Sequence, residues 1–147
     1  MQNHEKIKMI NTVLNRNSKL CEEWAKQKNI NYHTFLTFYS LYEQKKLTQK
    51  QIADSHRLLK QTVNNIITDL KKNDYVVLMT DPSNKREKLV ELTNKGMQFA
   101  KKYVAPFMDM ENIVMERMGE EKAQQMIEAM QLYGDLFKEE MNKCLED

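Results

Sequence analysis

Side chains able to hydrogen-bond a nucleobase recur at helical spacing between residues 60 and 73. The apolar residues of this segment occupy positions i, i+3, i+4 and i+7, which predicts a helix with one narrow buried face: Val63, Ile66, Ile67 and Leu70. The opposite side of that helix carries amides, a threonine and lysines: Gln61, Asn64, Asn65, Thr68, Lys71 and Lys72. Amides can pair bidentately with the N6 and N7 edge of adenine, and ammonium groups can bind phosphates. On its own such a face more often serves solubility, so the neighbouring elements decide its role.

Individual roles can be assigned to these residues if the helix faces a nucleic acid. The candidates for contacts to bases are Gln61, Thr62, Asn64, Asn65 and Thr68, of which the two threonines could instead hold a phosphate. The candidates for contacts to phosphates are Thr48, Gln49, Lys60, Lys71, Lys72, Lys85 and Lys88. Arg86 would enter a minor groove, because narrow A/T-rich grooves have the deeper negative potential.

A β-hairpin with a basic tip is predicted after the polar helix. Asn73 and Asp74 tolerate a left-handed conformation and are predicted to end the helix. Residues 75–80 and 89–92 are rich in β-formers and predict two strands, while residues 81–84 have the composition of a turn. The cations near the hairpin tip are Lys85, Arg86 and Lys88.

A short helix is predicted before the polar one. Thr48 is a good N-cap, and Gln51 stands three residues later, where a capping-box partner belongs. Ile52 and Ala53 give this helix a small apolar face, and it is expected to stop near Leu58. Two helices followed by a hairpin describe a winged helix-turn-helix, whose second helix enters the major groove of DNA.

Long amphipathic helices are predicted on both sides of this central region. Apolar spacing predicts a first helix over residues 7–24 and a more buried one over residues 32–42. After Thr93, a candidate N-cap, the pattern predicts one long helix that Pro106 must kink or end early. A last helix is predicted over residues 120–145. The terminal apolar stripes are too long to bury inside one small domain, so pairing with a second copy is expected.

The expected architecture is mainly α with a small β-hairpin wing. Its central part is a winged helix-turn-helix DNA-binding domain over residues 32–96. An N-terminal dimerisation helix is expected within residues 1–31, and C-terminal dimerisation helices within residues 97–147.

The net charge of +2 conceals a polarised chain. Residues 1–44 hold 6 basic and 4 acidic side chains, residues 45–95 hold 11 and 6, and residues 96–147 hold 6 and 11. A basic middle third is typical of a nucleic-acid contact confined to one part of a fold. A solvated basic face without a partner fits the same count.

Other classes of protein find little support in the sequence. Its apolar runs fall far below the roughly 18 residues of a membrane span, and its N-terminus lacks a secretory signal, so a cytoplasmic protein is expected. The 2 cysteines and 3 histidines have no metal-ligand spacing, so no metal site is expected. No glycine-rich phosphate loop, nucleophile elbow or carboxylate pair is present, so neither an enzyme nor a cofactor is expected.

The order of these motifs resembles the MarR family of bacterial transcriptional regulators. The segments that carry the resemblance are residues 47–53 (LTQKQIA), 60–64 (KQTVN), 70–72 (LKK), 81–86 (DPSNKR) and 92–96 (LTNKG). Asp74 departs from the family pattern, which usually has glycine there. Ser83 and Asn84 replace an arginine and an aspartate of the usual wing.

The resemblance implies a homodimeric, sequence-specific DNA-binding regulator, a repressor released by a small-molecule or redox signal. It implies that helix 60–73 binds the major groove and wing 81–88 the minor groove of a pseudo-palindromic operator. The alternative is a winged-helix protein-interaction module without DNA binding, for which the acidic C-terminal third and the altered wing argue.

Two sites could receive a regulatory signal, and each also has a purely structural interpretation. The resemblance implies an effector pocket, which aromatic residues could line, although core packing also explains them: Trp24, Tyr32, Phe35 and Tyr39. Cys21 lies near Lys19, which could lower its thiol pKa for a redox role, but a buried interface cysteine fits as well.

Overall fold

A computed structural model describes residues 1–146 and confirms a mainly helical fold with a small antiparallel sheet. The elements are α1 (Asn3–Gln27), α2 (Tyr32–Gln44), β1 (Lys46–Thr48), α3 (Gln49–His56), α4 (Lys60–Lys72), β2 (Val76–Asp81), β3 (Asn84–Leu92), α5 (Asn94–Tyr103), α6 (Ala105–Met118) and α7 (Glu120–Leu145). Asp147, the last residue of the predicted C-terminal segment, lies outside the described residues. The chain forms two compact units, residues 1–107 and the part from Met108 onward.

The sheet has three strands in the order β1-β3-β2, all antiparallel. The predicted hairpin is β2 and β3, but β3 begins at Asn84, five residues before the predicted strand. β1 was not predicted from the sequence, because a three-residue strand is too short to show a period. The position of β1 in the sheet is set by Leu47, which lies opposite Val90 on β3. Both side chains are buried. The strand thereby ties the start of α3 to the base of the wing.

The core of the first unit is built around α2. Phe35, Phe38 and Leu41 on this helix are fully or almost fully buried. Phe38 stacks on Phe99 with ring centroids 4.4 Å apart and meets the edge of Tyr75 at 5.7 Å. The residues that the other elements add to this core are Ile52, Val63, Ile67, Val90, Ala100 and Val104. α2 therefore lies under both α4 and the sheet and sets their positions.

The helix ends follow the predicted capping residues. Thr48 forms a capping box, in which its hydroxyl accepts from Gln51 N and Gln51 Oε1 accepts from Thr48 N. Thr93 caps α5 by accepting from Gly96 N at 3.0 Å. Asn31 caps α2, a role not assigned from the sequence.

Pro106 separates two helices. α5 ends at Tyr103 and α6 begins at Ala105, so the long helix expected after Thr93 ends early. The break suits proline, which has no backbone N–H to donate and is tolerated in the first turn of a helix. Trp24 reaches this break from α1 and donates its indole N–H to Tyr103 O at 2.9 Å.

The second unit buries none of its described side chains. α7 spans the predicted range and carries a stripe of large apolar residues that are 40 to 59% exposed: Met126, Ile127, Met130, Tyr133, Phe137 and Met141. α1 also exposes apolar residues, namely Ile7, Met9, Ile10, Val13, Leu14 and Leu20. None of the helices within residues 1–146 combines the length and the hydropathy of a membrane span.

Candidate nucleic-acid interface

α4 presents its polar face to solvent because its apolar face is anchored in the core. Val63, Ile67 and Leu70 are buried, as the sequence pattern predicts, and Ile66 is half-buried. The candidate contact residues that are exposed on this helix are Lys60, Gln61, Asn64, Asn65, Thr68, Lys71 and Lys72. Thr62 differs from them in being half-buried.

Hydrogen bonds order part of this exposed face. Gln61 Nε2 donates to Asn65 Oδ1 at 2.9 Å, and Thr68 Oγ1 donates to Asn64 O at 2.8 Å. The hydroxyl of Thr68 is therefore committed to the helix backbone, which leaves its methyl group and its oxygen lone pairs for a ligand. Both bonds join residues one helical turn apart.

The turn between α3 and α4 is tight. Arg57 adopts a left-handed conformation with φ of 53°, and Leu58 N donates to Ala53 O. Leu59 occupies the N-cap of α4 and supplies no side-chain cap. Thr48, predicted to bind a phosphate, is buried with its hydroxyl in the capping box, while its neighbour Gln49 is half-buried.

The residues that end α4 are bonded to the residues that follow the second strand of the wing. We call this connection the α4–wing joint and define it by Asn73, Asp74, Tyr75, Thr93 and Lys95. Asp74 is left-handed with φ of 61°, the conformation expected for the residue that replaces glycine. Thr93 Oγ1 donates to Asp74 O, and Thr93 N donates to Tyr75 O. Lys95 Nζ donates to Asn73 O at 2.8 Å and lies 4.4 Å from the centroid of the Tyr75 ring. The role of Lys95 was not predicted, since only the fold brings it to the helix end.

The tip of the wing is shaped by two residues that depart from the family pattern. The Asp81 carboxylate accepts from Ser83 N at 2.9 Å and from Ser83 Oγ at 2.7 Å. These bonds lower the pKa of Asp81. Asn84 Oδ1 accepts from Arg86 N at 3.1 Å. Ser83 and Asn84 therefore organise the turn with hydrogen bonds instead of adding charge to it.

The basic residues of the wing follow this turn. Asp81 pairs with Asn84 and Thr80 with Lys88, so the ladder is irregular between these two pairs. Lys85, Arg86 and Lys88 are exposed there. The wing thus presents its cations on the same compact unit that exposes the amides of α4.

The match to a known family covers this interface. The MarR family model matches residues 30–88, which include α2, α3, α4 and most of the wing. This part of the chain is therefore similar to the MarR family.

Solved MarR structures share the fold at low sequence identity. A MarR family regulator from Neisseria meningitidis superposes with a TM-score of 0.80 at 20% identity, over 94% of this chain and 97% of its own. MepR of Staphylococcus aureus, in complex with DNA, gives 0.59 at 21%, over 92% and 99%. S. aureus MarR, in complex with salicylate and kanamycin, gives 0.66 at 22%, over 92% and 93%. A search of curated protein sequences found no significant match.

Aromatic residues of the first unit converge on Phe107. The Phe107 ring lies 5.6 Å from Phe35, 6.0 Å from Trp24 and 6.4 Å from Tyr39. Three of the four residues predicted to line a pocket are thus brought together, and we call them with Phe107 the Phe107 cluster. The sequence pattern did not assign Phe107 to the pocket.

The fourth predicted pocket residue, Tyr32, lies at the start of α2. Its ring is 5.7 Å from His33. Burial raises the pKa of Tyr32, and the nearby charges of Cys21 and Glu22 raise it further. Cys21 is half-buried, Cys144 is exposed, and neither forms a disulfide. Among residues 1–146, no group of three or more metal-ligating side chains is close enough to hold an ion.

A histidine connects α3 to α2. His56 is half-buried, and its Nε2 shares a hydrogen bond with Ser40 Oγ. Burial lowers the pKa of His56, and a hydrogen bond to the backbone of Leu36 and the charge of Glu43 oppose that change. The net effect favours the neutral imidazole in the folded protein.

We expect stability to fall as the pH is lowered through the His56 titration. The folded pKa lies below the unfolded value of 6.5, so the unfolded chain takes up the proton first. The contribution is complete above the unfolded pKa and is lost as the pH falls towards the folded one. His56→Gln should therefore reduce the loss of Tm between pH 7.5 and pH 5.5, measured by thermal unfolding. An identical Tm change in both proteins would contradict the assignment.

Proposed function

We propose that the protein is a homodimeric repressor that binds a pseudo-palindromic operator. In each half-site, helix 60–73 occupies the major groove and wing 81–88 the adjacent minor groove. The observation that carries the proposal is the joining of an exposed amide face on α4 to a basic wing in one compact unit. Hydrogen-bonding side chains in a major groove distinguish base pairs, whereas cations beside them fix the position of the protein on the phosphates.

Different residues make the contacts to bases and the contacts to phosphates. Bases are read by the side chains Gln61, Thr62, Asn64, Asn65 and Thr68, of which the threonines offer a methyl group to thymine. Phosphates are held by Gln49, Lys60, Lys71, Lys72, Lys85 and Lys88, and by the segment that Thr48 caps. Arg86 reaches the minor groove, where it favours A/T-rich sequence.

The homodimer is supported by apolar surface at both ends of the chain. The stripe on α7 and the exposed residues of α1 would be covered by a second copy, which makes residues 1–31 and 97–147 the dimerisation segments. Two copies present two recognition helices. Half-sites one helical turn apart, roughly 34 Å, then follow from the geometry of B-DNA.

Release from the operator would follow the binding of a small apolar molecule at the Phe107 cluster. Trp24 and Tyr39 are only half-buried there, so part of their surface is open to a ligand. Salicylate is bound in the S. aureus MarR structure, which supports a small aromatic acid as the first compound to test. Oxidation of Cys21, which is half-buried, is the redox alternative.

The decisive experiment selects bound duplexes from a random pool and then titrates the selected operator at several salt concentrations. We expect Arg86→Ala to weaken binding to every sequence and to reduce the slope of log K against log salt by about 0.9 for each wing. Asn65→Ala should instead relax the preference at one base position in each half-site and leave the slope unchanged. Equal binding of the selected and scrambled duplexes would rule out sequence-specific recognition.

A further inference from the structure

Two amides on the exposed face of α4 are bonded to each other. Gln61 Nε2 donates to Asn65 Oδ1 at 2.9 Å, and both side chains are exposed. This bond uses one lone pair of Asn65 Oδ1. It leaves the other Oδ1 lone pair and both Nδ2 hydrogens of Asn65 available for a further partner.

The hydrogen-bonding groups of Asn65 that Gln61 does not use match the major-groove edge of adenine. Adenine presents the N7 acceptor beside the N6 donor, and an asparagine amide can satisfy both with Nδ2 and Oδ1. We propose that Gln61 is a positioning residue that orients the Asn65 amide for an adenine in each half-site. This inference rests on the proposed function, and it gives Gln61, one of the side chains proposed to face the bases, a role that acts through Asn65.

The orientation matters because the two ends of an amide are chemically opposite. A rotation by about 180° would set Asn65 Oδ1 against N7, where two acceptors meet, and Nδ2 against N6, where two donors meet. The bond from Gln61 sets the oxygen of Asn65 towards Gln61, and the reversed arrangement keeps a bond only if the Gln61 amide turns as well. Fixing the amide before binding also reduces the entropy lost when the interface forms.

Base analogues in the selected operator test this role. Replacing the contacted adenine with 7-deaza-adenine, which lacks the N7 acceptor, should weaken binding of the wild-type protein roughly tenfold. Asn65→Ala should remove most of that penalty, which identifies the adenine. Gln61→Ala should reduce the penalty to about threefold or less and leave the salt slope unchanged.

Gln61→Glu supplies the sharper test because it replaces the donor with an acceptor of the same shape. The carboxylate should accept from Asn65 Nδ2 and turn the amide around, which should abolish the preference for adenine at that position. The added negative charge weakens binding to all duplexes, but it cancels in the ratio between adenine and 7-deaza-adenine operators.

A matched control is available in α7. Gln124 Nε2 donates to Glu128 Oε1 at 2.8 Å, also one turn away, so Gln124→Ala removes a comparable exposed bond and should keep the wild-type ratio. A full 7-deaza-adenine penalty in both Gln61 variants would overturn the positioning role while leaving the proposed function intact. If no adenine shows a 7-deaza-adenine penalty that depends on Asn65, the positioning role of Gln61 is also overturned. Failure of the wild-type protein to prefer the operator over scrambled DNA would overturn both proposals.

Discussion

Gly96→Ala is expected to destabilise the protein by about 3 kcal/mol or more. A Cβ at this position would lie 2.1 Å from Tyr75 O and 3.1 Å from Leu92 Cδ2. Tyr75 O belongs to the backbone and accepts from Thr93 N at 3.0 Å, so it cannot move without disturbing the α4–wing joint. Thermal unfolding should record a fall in Tm of roughly 10 °C.

The sign of this effect is diagnostic because glycine is ordinarily unfavourable inside a helix. Replacing a helical glycine with alanine normally stabilises by up to about 1 kcal/mol. Gly134→Ala is the matched control, since nothing lies within 4 Å of a Cβ built there in the middle of α7. We expect Gly134→Ala to be neutral or stabilising. Stabilisation by both substitutions would contradict the close approach at Gly96.

Phe137→Asp is expected to produce monomers and to lower operator affinity by at least about 100-fold, because two linked half-sites bind far more tightly than one. Phe137 is 59% exposed in a single chain and lies on the apolar stripe of α7. A carboxylate there costs little in the monomer, but it would lie unpaired in the proposed apolar interface. Analytical ultracentrifugation and operator titration on the same sample measure the two effects.

Asn142→Asp is the control for the added charge, since Asn142 lies on the side of α7 away from the stripe. This variant should remain a dimer and bind the operator nearly as well as the wild type. Circular dichroism should show unchanged helix content for both variants. Dimeric Phe137→Asp protein with normal operator affinity would show that the α7 stripe does not form the interface.

The helices of this protein could be predicted closely because local chemistry determines their ends. Thr48 with Gln51, and Thr93 alone, cap helices through bonds to residues three positions away, so the sequence contains both partners. The predicted bounds of α7 match the structure. β1 could not be predicted, because its pairing with β3 joins residues more than 40 positions apart in the chain.

In the candidate site, too, features set by residues close in sequence could be predicted, whereas contacts between distant residues could not. The exposed face of α4 follows from periodicity alone, and the left-handed Asp74 follows from its place at the helix end. The contact of Lys95 with Asn73, 22 residues away, depends on how the wing returns to the helix. The bond between Gln61 and Asn65 is compatible with their spacing, but its direction appears only in the structure.

The α4–wing joint has a mechanical consequence for DNA binding. Thr93 and Lys95, which follow the second strand of the wing, bond all three residues that link α4 to its first strand, so bending at this link would break these bonds. In the proposed complex, any movement that lifts the helix out of the major groove therefore also withdraws the wing from the minor groove. Each half-site would be engaged or released as a whole, and a signal need only displace one rigid body to break every contact in it.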